Sequence, residues 1–247
     1  MIGAILTRWS FDPTVLGGLA LLCVVYWRAG GRRPWRFAAA IVLSLLALES
    51  PLDFLADHYL FSAHMVQHLV LMLGVAPLLA LSIPPRLGRW APRTPVLAFV
   101  LFVVDMWLWH APPLYESTLH NEALHALEHL TFVTTAGWFW WVAFSPEALP
   151  MLGRAAYVFV AGIPGTLLGA LITFAPRVLY PSYPAALEQP GLGRALQAQW
   201  NVTAAGDQQL GGLIMWVPGG LVYLVAILAI LLSGLSRQQA IEAEPAS

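Results

Sequence analysis

The chain has no lysine, a single cysteine, and charged side chains at only 10% of its 247 positions. Each scarcity excludes something. Sparse charge combined with 59% hydrophobic residues and a mean hydropathy of +0.70 excludes an ordinary soluble domain, and reads as an integral membrane protein whose medium is the lipid bilayer. A net charge of −1, with no basic run interleaved with aromatics, excludes nucleic-acid binding. Cys23 has no second cysteine to pair with, so no internal disulfide forms and its simplest role is a small packed side chain. Met1 to Phe11 carries only Arg8 as a cation and lacks the parts of a cleavable leader, so the first apolar run is expected to be retained.

What is present is a series of long apolar stretches. A spanning helix needs about 20 mostly apolar residues. Seven stretches approach that length, approximately Pro13–Trp27, Trp35–Leu48, Leu60–Leu81, Pro95–Trp109, Leu124–Phe144, Tyr157–Phe174 and Leu210–Leu232. The expected fold is therefore all-α, a bundle of seven transmembrane helices forming one domain over residues 1–247. Orientation follows from the arginines, because short cytoplasmic loops retain positive charge. Alternate connections carry Arg28, Arg32, Arg33 and Arg36, then Arg86, Arg89 and Arg93, then Arg154, and finally Arg237 in the tail. The other side has Arg8, Arg177 and Arg194. That asymmetry places the N-terminus outside and the C-terminus inside.

With this orientation all seven histidines, at positions 58, 64, 68, 110, 120, 125 and 129, lie toward the outer face. Their spacing is informative. His64 and His68 are four apart at the start of the third stretch, and His125 and His129 repeat the spacing at the start of the fifth, so each pair projects from one helix face. His110 ends the fourth stretch at the same level. Five imidazoles from three helices are enough for one metal ion with spares or for two neighbouring ions. Interfacial histidines can also merely bond to loops or headgroups, and one pair alone would not decide between these readings.

Methionines extend the pattern. Met65 and Met72 share the helix of His64 and His68, and Met106 lies four residues before His110. Thioethers favour Cu(I) over harder ions, although methionines also simply fill gaps in cores. Asp105 is a carboxylate inside an apolar segment, which needs a partner, either at an ion site or through a hydrogen bond to a tryptophan or histidine. His125-Ala126-Leu127-Glu128-His129 matches the inverted zinc-protease pattern H-x-x-E-H, in which Glu128 would be a general base. In a metal-carrier reading Glu128 is instead an outer partner that orients a ligand. Asp207 opens the seventh stretch, where it could cap that helix or face the same cavity as Met215. Histidine pairs also suit haem, but the inner side, where a two-haem protein needs a second set, has none.

The segments His64-Met65-x-x-His68, Trp109-His110-x-Pro112-x-x-Tyr115, His125-x-x-Glu128-His129 and Asp207-Gln208-x-x-Gly211-Gly212-x-x-Met215-Trp216 resemble, in that order, the seven-span cytochrome c oxidase assembly factors of the Caa3-type CtaG family. The resemblance implies a non-enzymatic bacterial inner-membrane protein needed to mature haem–copper oxidase. It further implies delivery of copper to an oxidase subunit, with a periplasmic copper donor as a possible second partner. On that expectation His64, His68, His110, His125 and His129 are ligands, Met65, Met72 and Met106 are soft auxiliaries, and Asp105, Glu128 and Asp207 support them from behind. Copper as Cu(I) is the expected ion. Zinc in an intramembrane protease, and haem or a transported metal, are the alternatives.

Overall fold

A computed structural model describes residues 2–83 and 94–242, which are helical with no strand among them. The first helix, α1 (Ile2–Leu6), leads to α2 (Pro13–Arg28). Asp12 caps α2 by accepting from the Thr14 N–H at 2.7 Å, and Pro13 occupies the first turn, where its missing N–H costs nothing. Gly30, at φ +78°, turns the chain into α3 (Pro34–Leu48), and Tyr26 stacks on Phe37 at 3.9 Å between ring centroids to close the hairpin. The short α4 (Pro51–His58), capped by Ser50, continues α3 at a 44° bend.

The central helix is α5 (Phe61–Ser82). Its middle, Val70–Val75, is a π-helix, and Pro77 follows just beyond. A proline inside a helix lacks an N–H and crowds the carbonyl four residues back, and a wider turn accommodates that crowding. Trp140 donates its indole N–H to the Met72 carbonyl at 2.9 Å within this irregular turn. Beyond it come α6 (Pro95–Trp109) and α7 (Pro112–Thr118), bent by 77° around Ala111-Pro112, then α8 (Glu122–Phe144) and α9 (Met151–Thr173). The long connection after α9 folds into α10 (Ser182–Leu187) and α11 (Leu192–Trp200). The chain ends in α12 (Ala204–Glu242).

Helices occupy all seven apolar stretches, but they differ in their fitness to span. Three are each long and apolar enough to cross a membrane, namely α5, α9 and Ala204–Ser236 of α12, and up to five if each bent pair counts as one span. Helix α2, with 16 residues, is shorter. Helix α8 has 23 residues, but Glu128, His129, three threonines and three tryptophans dilute its apolarity. The protein is thus an all-helical membrane protein.

Helices α9 and α12 approach closely: a Cβ added at Gly169 would lie 2.8 Å from the Gly212 carbonyl oxygen, which only glycines permit. Arg33 donates to the Leu81 carbonyl at 2.7 Å, and Arg33, Arg36 and Arg154 line one crevice. Leu81 lies 13 residues beyond His68 on α5, roughly 20 Å along the helix. Arg33, Arg36 and Arg154 therefore gather at the end of the bundle away from His64 and His68. The connection carrying Arg86, Arg89 and Arg93 lies outside the described residues, as does the side chain of Arg237.

Candidate metal centre

Helix α5 begins with its first backbone N–H groups inside the protein, where no water can satisfy them. Asp207 does so from α12, accepting from the Phe61 N–H at 2.7 Å and the Ser62 N–H at 3.3 Å, and also from the Ser62 hydroxyl. The expectation that Asp207 caps its own helix needs correction. Helix α12 starts three residues earlier, at Ala204, so Asp207 sits within the first turn and points sideways at α5. Its role is to hold the helix that carries His64 and His68.

Those two rings face α8, where His125 and His129 project toward them. Ring centroids are 4.3 Å apart for His64 and His68, 4.2 Å for His125 and His129, and 5.2 Å for His64 and His125. Glu128 stands among them, with its oxygens 3.9 Å from His64 Nε2 and 3.6 Å from His68 Nε2. One donor atom from each of His64, His125, Glu128 and His129 falls within 4.8 Å of the others. Glu128, expected behind the ligands, thus stands in the donor set itself.

The buried polar atoms indicate what the arrangement lacks. Both Glu128 oxygens and the Nε2 atoms of His64, His68, His110, His125 and His129 are buried without a hydrogen-bond partner. Unpaired buried polar groups are costly, and those of His64, His125, Glu128 and His129 converge, so one cation would satisfy several of them together. Imidazole nitrogens with one carboxylate suit zinc or copper. The free Nε2 atoms also have a cause on the opposite side of two rings. His64 Nδ1 pairs with the Tyr183 hydroxyl at 3.1 Å, and His110 Nδ1–H donates to the Met106 carbonyl at 2.7 Å, which leaves each Nε2 lone pair facing inward.

Tyr183 was not legible as a site residue. It comes from α10 in the outer connection, its hydroxyl donates to the Ala56 carbonyl at 3.0 Å, and it also pairs with the Tyr115 hydroxyl at 2.8 Å. Asp57 is another addition, with Oδ1 3.6 Å from His125 Nε2. No periodicity links either residue to the histidines, because both arrive on separate short helices.

Other expected residues stand apart. Asp105 accepts from the Trp109 indole at 3.0 Å and the Thr135 hydroxyl at 2.8 Å, so of its two readings the hydrogen-bonded one describes its contacts, and it ties α6 to α8. Met65, one residue beyond His64, turns toward α12, where its Cγ would lie 3.2 Å from a Cβ at Gly211. Met72 and Met106 face a separate small cavity shared with His68 and His110. The expected single His/Met cluster is therefore divided in two.

The geometry defines an all-helical membrane protein with a buried imidazole–carboxylate cluster near one end of its bundle. The family is defined by the sequence as a whole. The chain belongs to the cytochrome c oxidase caa3 assembly factor family, Caa3_CtaG, whose model matches residues 19–237. The chain is also 24% identical to uncharacterized proteins of Mycobacterium bovis and Mycobacterium tuberculosis, across 93% of its own length and 40% of theirs. It is 23% identical to one of Mycobacterium leprae, across 91% and 39%. The chain spans about two-fifths of the length of these curated relatives. No solved structure matches it.

Proposed function

We propose that the protein is a non-enzymatic carrier that takes copper at the His64, His125, Glu128 and His129 centre and delivers it to a subunit of haem–copper cytochrome c oxidase. The observation that carries this reading is the convergence of four buried donor atoms that have no hydrogen-bond partner. Its setting is a bacterial inner membrane, crossed seven times by a single domain, with the N-terminus and the histidines on the periplasmic side. The gathering of Arg33, Arg36 and Arg154 at the far end supports that orientation, because positive charge is retained in the cytoplasm. A periplasmic copper donor would load the centre from outside.

Metal analysis and an absorption spectrum of the purified protein test the reading. Copper is expected, with His64→Ala and His125→Ala each lowering it, and the double variant losing little beyond the worse single because ligands of one centre act as a unit. Oxidase maturation in cells should fail in parallel. Wild-type copper and normal oxidase in both single variants would overturn the proposal. Zinc together with cleavage of a membrane peptide would favour the H-x-x-E-H hydrolase reading instead, and a Soret band would favour haem.

A further inference from the structure

Below the histidine–glutamate centre lies a cavity of about 30 Å³. Its wall includes Met72 of α5, Met106 of α6 and Met215 of α12, half of the six methionines in the chain, together with His68 and His110. Helices α9 and α12 present glycines to it, and a Cβ at Gly165 would stand in van der Waals contact with Met106 Sδ, 3.7 Å away. That volume exceeds the 10–15 Å³ or so that one water or ion needs, and is far too small for a lipid chain or an organic substrate.

Two features distinguish the cavity from ordinary core. His110 Nε2 and both ring nitrogens of His68 are buried without a hydrogen-bond partner. Among the lining residues there is no carboxylate, so a divalent ion would bring uncompensated charge into an apolar chamber. A water would satisfy the imidazoles but would gain little from three thioethers. A soft monovalent ion matches both donor types, since thioether and imidazole together select Cu(I) and a single charge costs less to bury than two.

We propose that Met72, Met106 and Met215, with His68 and His110, form a second metal site that holds Cu(I), distinct from the His/Glu centre and deeper in the bundle. This rests on the reading of the protein as a copper carrier. His68 forms the wall between the two, because its Nε2 is 3.6 Å from Glu128 while its ring also lines the cavity. Copper stays Cu(I) in both places, so no electron is transferred.

The test is an anaerobic titration of the detergent-solubilised full chain with Cu(I) against a chromophoric Cu(I) chelator, followed by copper K-edge absorption. Wild type should bind two copper ions, with sulfur scattering from one of them. M72L/M106L/M215L should bind one, with nitrogen and oxygen scattering alone, whereas H125A/H129A should bind one that keeps its sulfur. One copper in wild type, without sulfur and unchanged in the methionine variant, would overturn the second site and leave the carrier reading standing. No copper in wild type would overturn both. If the triple variant fails to fold, selenomethionine-substituted wild type decides: copper–selenium scattering is expected, and its absence overturns the proposal.

Discussion

The two clusters inside the bundle lie about one helical turn apart along α5, yet their side chains differ in kind. The outer one combines three imidazoles with a carboxylate. The inner one combines two imidazoles with three thioethers and has no carboxylate in its lining. One chamber can balance a divalent charge and the other cannot, which teaches that residues close in sequence need not serve one ion. His64 and Met65 are adjacent, but the helix turn sends one toward α8 and the other toward α12.

The largest effect that can break this comparison is expected from H125A/H129A, which removes two donors from the outer chamber only. Metal affinity there should fall by more than the about 10- to 100-fold that loss of an outer partner costs, as read by competition with a chelator. An unchanged affinity would mean the α8 pair is not part of the centre. Glu128→Gln comes next, because it keeps the shape and removes the charge. A ligand role predicts weaker metal retention, whereas a general-base role predicts full zinc retention with lost turnover. Metal content measured beside a peptide-cleavage assay separates these outcomes.

Tyr183→Phe sharpens the comparison further. It removes the hydroxyl that fixes His64 Nδ1 but leaves every donor in place, so affinity should drop by about 10- to 100-fold at the outer chamber alone. An equal loss from the inner cavity would show that Tyr183 acts on the whole bundle rather than on one ring. The smallest effect is expected from Asp12→Ala, a residue that belongs to neither cluster. Losing that cap should cost about 1 kcal/mol or less in thermal unfolding and leave metal content unchanged. The Thr14 hydroxyl and N–H hold the Asp12 carboxyl below the usual carboxylate range. The cap is therefore fully effective above that range and weakens as pH falls through the lowered value, and an acid titration of unfolding should find wild type converging on Asp12→Ala.

Much of the molecule was legible because helices and their faces are local. Apolar stretches foretold each long helix, and the i, i+4 spacing of His64 with His68 and of His125 with His129 set each pair on one face before any tertiary contact was known. The spanning capacity was less legible, because α8 trades apolarity for the residues of its centre and α2 is short. Asp105 illustrates the limit: its burial in an apolar segment demanded a partner, but only the packing of α6 on α8 could supply Thr135.

By itself, then, the sequence determined an all-helical membrane protein of the caa3 assembly factor family, with two histidine pairs each set on one helix face. Those properties depend on composition and on periods of three to four residues. Only the tertiary structure decided that Glu128 stands among the donors, that Tyr183 and Asp57 join from separate short helices, and that Met72, Met106 and Met215 line a cavity apart from them. Each of those outcomes depends on how helices remote in sequence rotate and approach. The glycines of α9 and α12, and the π-turn beside Pro77, set that packing through contacts between distant segments, which no local pattern encodes.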